Sequence, residues 1–243
     1  MEKRVKIIFS YDGSKFFGSQ TQRDNKQTVM GTLQRAIKAL GIEKIALSSG
    51  RTDRGVHALN QVCHLDIPNY FFNLGKLRKN LNYFVMPYIY IKNISFVNSN
   101  FHARFSAKKR LYRYIVSHKS YNPIFADYYS FMPALNLNIL NENIKEFEWI
   151  HDFSYFKKQG SITHSDTRII YKAFAYQKDN YTIINFLGNS FLRSQIRIMC
   201  DFLFKIERGK FKKEDLKQQL RLQNRQQISL APSSGLYLSR IYY

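Results

Sequence analysis

The largely apolar run Val5-Lys6-Ile7-Ile8-Phe9, extending to Tyr11, reads as a strand, and Asp12-Gly13-Ser14 supplies the turn that closes it. At Thr28 the period changes. Val29, Met30, Leu33, Ile37 and Leu40 fall on one face of a helix over Thr28–Leu40, with Gly41 as its cap. A short strand is expected over Lys44–Leu47, leading into the loop Ser48-Ser49-Gly50. Alternation over Gln61–Ile67 predicts a strand, Leu74–Leu81 reads as a short helix and Tyr88–Val97 as another strand.

After Phe101-His102-Ala103-Arg104-Phe105 the pattern begins again. Leu111–Ser117 alternates as a strand and Leu140–Trp149 has helical spacing. Ile169–Gln177 and Tyr181–Leu187 predict a hairpin around Lys178-Asp179-Asn180. Phe191–Ile206 is the strongest helix pattern, with Leu192, Ile196, Met199, Leu203 and Ile206 on one side. Lys212–Leu222 predicts a basic helix and Leu236–Ile241 a last strand. Strands and helices mixed in two unequal halves predict an α+β fold with largely antiparallel sheet. The division is expected near residue 105, giving an N-terminal subdomain over 1–104 and a C-terminal one over 105–243.

Composition narrows the class. Hydrophobic residues make up 44% of the 243 and aromatic residues 16%, enough for a globular core. No apolar run approaches the roughly 18 residues that span a bilayer. Met1 to Arg4 lead directly into the first strand, without the apolar stretch and cleavage site of a signal peptide. Cys63 and Cys200 are too few for a disulfide framework or an all-cysteine zinc site, so a reducing cytoplasm is the expected compartment. The charge points to a partner. Lys and Arg number 38 against 17 Asp and Glu, a formal +21, and such self-repulsion is offset by binding a polyanion. A genome rich in Lys, Asn, Ile, Phe and Tyr accounts for many of the lysines, but not for the scarcity of acids.

The densest polar cluster is Ser48-Ser49-Gly50-Arg51-Thr52-Asp53-Arg54-Gly55-Val56-His57. Its glycines permit unusual backbone angles and close approach of a ligand. One carboxylate stands between two arginines in a loop bracketed by strands. On spacing alone, an activated carboxylate in a cleft and a solvated Arg-Asp-Arg loop both remain open.

The stretch Gly50 to His57 resembles the active-site loop of tRNA pseudouridine synthases of the TruA type. Four further blocks match in the same order. Tyr11-Asp12-Gly13-Ser14 with Phe17-Gly18-Ser19-Gln20 is similar to the family's first strand and loop. Phe101 to Ala107 with Leu111-Tyr112-Arg113-Tyr114 is similar to the junction of its halves. Asn189 to Arg193 with Ile196-Arg197 resembles the start of its long C-terminal helix. Ala231-Pro232 with Gly235 to Leu238 resembles its closing strand. The chain departs from the pattern at Arg54, where the family usually has a small residue, and at Ser19, where it usually has Trp.

The resemblance implies a pseudouridine synthase fold, two α/β subdomains around a largely antiparallel mixed sheet, acting on uridines near the 3′ side of the tRNA anticodon stem-loop. It implies Asp53 as the catalytic carboxylate, with no cofactor and no metal. Arg51 would hold the flipped base out of its stack; Arg54, being a departure from the family, is expected either to add an RNA phosphate contact or to reshape the entrance. Tyr112 would pack on the target uracil, and Arg193 would orient the carboxylate. A homodimer gripping one tRNA is also implied. His57, Cys63 and His64 lack zinc-like spacing and are expected in packing roles. Lys108-Lys109-Arg110, Arg197 and Lys210 to Lys213 are candidate RNA contacts. A catalytically silent RNA-binding module is the alternative, though binding alone would not call for a carboxylate repelled by phosphate. A methyltransferase would need a glycine-rich loop that Asp12-Gly13-Ser14 does not supply.

Overall fold

The computed structural model describes residues 2–22, 27–160, 163–226 and 229–243. In chain order its elements are strand β1 (Glu2–Tyr11), helix α1 (Val29–Ala39), strands β2 (Leu47–Ser48) and β3 (His57–Pro68), helix α2 (Leu74–Val85) and strands β4 (Ile89–Phe96), β5 (Lys109–Ser117) and β6 (Ser130–Phe131). Helix α3 (Leu137–Ile144), strands β7 (Trp149–Asp152), β8 (Thr167–Lys178) and β9 (Tyr181–Gly188), helices α4 (Gln195–Glu207) and α5 (Lys213–Leu220) and strand β10 (Leu236–Tyr242) complete it. The expected α+β class with mainly antiparallel sheet is what the structure shows.

Contacts divide the chain into two units. The first holds Met1–Lys108 together with Tyr237–Tyr243, and the second Lys109–Leu236. The sequence pattern placed the division four residues earlier and kept the last strand with the C-terminal half. The difference has a pairing cause: β10 runs parallel to β3, with Tyr237 opposite His57 and Leu238 opposite Ala58.

In the first unit β1 lies between β3 and β4, antiparallel to both. Its Val5, Ile7 and Phe9 are fully buried, while the residues between them are half-buried. The strand read from the sequence is present, with burial alternating along it although Ile8 is as apolar as its neighbours. Helix α1 starts at Thr28, whose hydroxyl accepts the Gly31 N–H at 3.2 Å. It ends where Gly41 turns left-handed at φ +78°. Helix α2 packs on α1 and along β4, and its Asn82 amide bonds both backbone groups of Ile91. The outer edge of β4 is thereby partly satisfied by a helix side chain.

In the second unit β5, β9, β8 and β7 form an antiparallel run, with β6 parallel to β5. Its core is aromatic: Phe147, Phe153, Phe156, Phe186 and Phe202 are all fully buried, and Phe156 meets Phe147, Phe153 and Phe202 at ring distances of 5.4, 6.0 and 5.8 Å. Rings at these separations prefer tilted or edge contacts, as found here. The helix expected over Leu140–Trp149 is corrected. It begins earlier, at Leu137, where the Asn136 side chain caps it, and ends at Ile144. Phe147 continues the apolar rhythm from a short 3-10 turn, and Trp149, at φ +75°, opens β7 instead.

Candidate active site

Residues 49–57 connect β2 to β3, and almost every anchor of this loop comes from a residue far away in sequence. At the start of the loop, buried Gln61 of β3 accepts the Ser49 hydroxyl at 2.9 Å and donates its amide to the Gly50 carbonyl at 3.2 Å. At its centre Ser19 grips the peptide on both sides of Thr52. The Ser19 Oγ accepts the Thr52 N–H at 2.7 Å, and the Ser19 N–H donates to the Thr52 carbonyl at 3.2 Å. The Ser19 carbonyl in turn accepts the Met30 N–H at 2.9 Å, one of the donors that a helix start leaves without an intrahelical partner. The Tyr11 hydroxyl and Thr52 Oγ1 lie 2.7 Å apart in a hydrogen bond. Asp53 follows directly, half-buried, and its carbonyl accepts the Val56 N–H at 3.2 Å to close the turn.

Two glycines make this packing possible. A Cβ on Gly13 would stand 2.0 Å from the Val56 carbonyl oxygen, and Gly18, at φ +94°, brings its backbone against Thr52 and Asp53. His57 closes the loop. Its Nδ1 accepts the Gly13 N–H at 3.1 Å, and its ring stacks on Tyr237 of β10 at 4.7 Å.

Around Asp53 the two arginines differ. Arg51 is exposed. Arg54 lays its guanidinium over the Phe17 ring at 4.5 Å, which gives it a local partner of its own. Cys63 and His64 sit in β3 as packing residues. Burial pushes the Cys63 thiol up, and it lowers the His64 imidazole, whose Nδ1 accepts the Ala103 N–H at 3.1 Å.

In the second unit Tyr112 stands on β5, half-buried, with Phe191 edge-on at 5.3 Å. The segment from Gly188 to Gln195 is shaped by its own side chains. Asn189 Oδ1 accepts the Ile169 N–H at 3.1 Å and the Ser190 N–H at 2.6 Å, and Gln195 Oε1 accepts the Leu192 N–H at 2.7 Å. This overrides the helix expected from Phe191. Ser194 turns left-handed at φ +59°, and α4 begins only at Gln195. Arg193 is therefore exposed just ahead of the helix, with its carbonyl accepting the Lys158 N–H at 3.0 Å.

Asp53, Arg51 and Arg54 thus share one unit, and Tyr112 and Arg193 share the other. Among the other basic candidates, Arg110 and Arg197 bond the Asn189 and Ala231 carbonyls, each at 2.7 Å. Lys109 sits 5.0 Å from the Tyr171 ring centre, and Lys213 pairs with Glu142 and Glu146. Sequence reasoning passed over Gln61 and took Ser19 only as a departure. The one available signal was a small or amide side chain at a position flanked by buried residues, where an unpaired polar group would be costly.

The family described as tRNA pseudouridine synthase matches residues 7–106 and 144–243. A Campylobacter jejuni protein named tRNA pseudouridine synthase A is 42% identical over 240 residues, covering 99% of this chain and 100% of its own. A Helicobacter pylori protein of that name is 35% identical over 242 residues, 98% of each chain. One from Limosilactobacillus reuteri is 38% identical over 250 residues, 99% of this chain and 96% of its own.

Proposed function

The chain belongs to the tRNA pseudouridine synthase family, and from that premise we propose that it isomerises uridine to pseudouridine in the anticodon stem-loop of tRNA, with Asp53 as the catalytic carboxylate. The reaction breaks the glycosidic C–N bond, turns the uracil and joins C5 to the sugar; C5 gives up its proton and N1 takes one from solvent, so atoms and charge balance without a further reactant.

The observation that supports this reading is the doubly held Thr52 peptide. A loop whose only task was to display charge would gain nothing from buried hydrogen bonds at its centre. A carboxylate that must meet a reacting sugar does gain, because misplacement by about 1 Å costs on the order of a hundredfold in rate. Paired uridine must leave its stack to reach that carboxylate. Arg51, exposed beside Asp53, holds the vacated space, and its planar guanidinium suits both stacking and phosphate contact. Arg54 adds a phosphate contact from its place on Phe17. The family resemblance supplies the remaining roles: Tyr112 packs on the uracil, Arg193 orients the carboxylate, and a homodimer grips one tRNA.

The test is incubation with unmodified tRNA transcripts and no added cofactor, followed by carbodiimide mapping of pseudouridine. Signal in the anticodon stem-loop that vanishes in Asp53→Asn supports the assignment. Turnover retained in Asp53→Asn removes Asp53 from its role, and tight binding without product points to a silent RNA-binding module.

A further inference from the structure

From Ile67 to Ala126 the sequence holds ten Lys or Arg and no Asp or Glu. Helix α2 and strand β4 lie inside this stretch. On α2 the buried side is Leu77, Leu81 and Val85, and Lys76, Lys79 and Tyr83 fall at i, i+3 and i+7 on another. All three are exposed, and Tyr83 is 83% exposed, far beyond what a partly packed ring shows. The segment before the helix adds Tyr70 and Phe72, 67% and 78% exposed, and the segment after it adds Met86, Tyr88 and Tyr90.

Neither packing nor helix stability accounts for this arrangement. Lys76 occupies the first turn of α2 and Lys79 follows one turn later, at the end where the helix dipole disfavours cations; the first turn carries no acid and the last no base. Several lysines elsewhere are answered by carboxylates within the fold: Lys44 by Glu2, Lys205 by Asp201 and Lys213 by two glutamates. Large exposed rings interleaved with cations, in a stretch without acids, match the chemistry of RNA, where phosphates take the charge and unstacked bases take the rings. A second copy of the chain fits poorly. A two-fold contact through this face would set Lys76 and Lys79 against themselves.

We propose that the outer face of α2, with Lys76, Lys79 and Tyr83, is an RNA-binding surface that grips the tRNA substrate by its phosphates and by an unstacked base. It rests on the tRNA assignment above for the identity of the RNA.

The experiment measures tRNA binding by anisotropy across a salt series, in a catalytically inactive Asp53→Asn background. The paired change Lys76→Glu with Lys79→Glu should lower the slope of log Kd against log salt by about 2, and weaken binding at least about tenfold at physiological salt. Tyr83→Ala should weaken binding roughly fivefold with the slope unchanged. All three positions are exposed, so circular dichroism and melting should match the parent. With Asp53 restored, kcat at saturating tRNA should hold while KM rises. Unchanged slope and affinity overturn the proposal, as does a change of oligomeric state in light scattering, which would give this face to a second copy. If the wild type makes no pseudouridine while the α2 variants still lose RNA binding, the surface stands and the assigned reaction falls.

Discussion

The segment between β2 and β3 and the segment between β9 and α4 are built on opposite plans. The first, residues 49–57, borrows its anchors from elsewhere: Tyr11 from β1, Ser19 from the loop ahead of α1 and Gln61 from β3. The second, Gly188 to Gln195, is folded largely by Asn189 and Gln195, whose amides bond peptides one to three residues away, with Ile169 the main outside partner. A borrowed geometry is stiff because several elements must agree, and it is exposed to substitutions at a distance. A self-made geometry tolerates change elsewhere but fails wholly when its own amide is lost.

The largest expected effect comes from Gly13→Ala. The new Cβ would collide with the Val56 carbonyl, so backbone must shift, at a cost of about 3 kcal/mol in chemical denaturation and with most activity lost. Full stability in this variant would mean that the close approach of the two loops is dispensable. Next is Ser19→Ala. It removes an acceptor from the Thr52 N–H and should lower kcat about tenfold while leaving KM for tRNA close to its parent value. A rise in KM with kcat intact would show that Ser19 serves binding rather than placement of Asp53.

Asn189→Ala breaks the other plan. It leaves the Ile169 and Ser190 N–H groups without their acceptor and should cost about 1–2 kcal/mol, with hydrogen exchange quickened between 188 and 195 and unchanged over 49–57. Faster exchange in both segments would erase the contrast. The smallest effect belongs to Arg4 and Asp66, a cross-strand pair on β1 and β3 with 2.7 Å contacts. Hydrogen bonding to Arg4 holds the Asp66 carboxyl below its ordinary value. A depressed carboxylate contributes stability above its unfolded value, and that contribution is lost as pH falls through the folded one. Asp66→Asn should therefore destabilise by less than about 1 kcal/mol near neutrality, with the gap to wild type closing in acid. A gap that persists at low pH would show that the ion pair is not its source.

These contrasts follow what the sequence made legible. The β8–β9 hairpin was readable because two apolar runs flank the turn Lys178-Asp179-Asn180, β1 because its run is apolar and ends in the turn Asp12-Gly13-Ser14, and α1 because Thr28 and Gly41 mark both its ends. The start of α4 was not. Leu192 continues the apolar period of the helix, yet the hydrogen bond its N–H donates to Gln195 Oε1 and a left-handed Ser194 hold that turn open. Periodicity records which residues are buried, not which peptide group has found a side-chain partner. The same limit governs the candidate site. Asp53 stood out through its neighbours in sequence, whereas the grip of Ser19 on Thr52 joins residues 33 positions apart.

The return of β10 to the first unit has a consequence for biogenesis. On a ribosome, residues 1–108 emerge early, but the strand that lies parallel to β3, stacks Tyr237 on His57 and seats the Tyr243 hydroxyl on the Ala103 carbonyl is translated only after the whole second unit. Until then the nascent chain carries the start of β3, at His57 and Ala58, without its β10 partner, a template for wrong partners that chaperones would need to shield. The loop that carries Asp53 leads into β3, so its maturation waits on the last residues of β10 to be made.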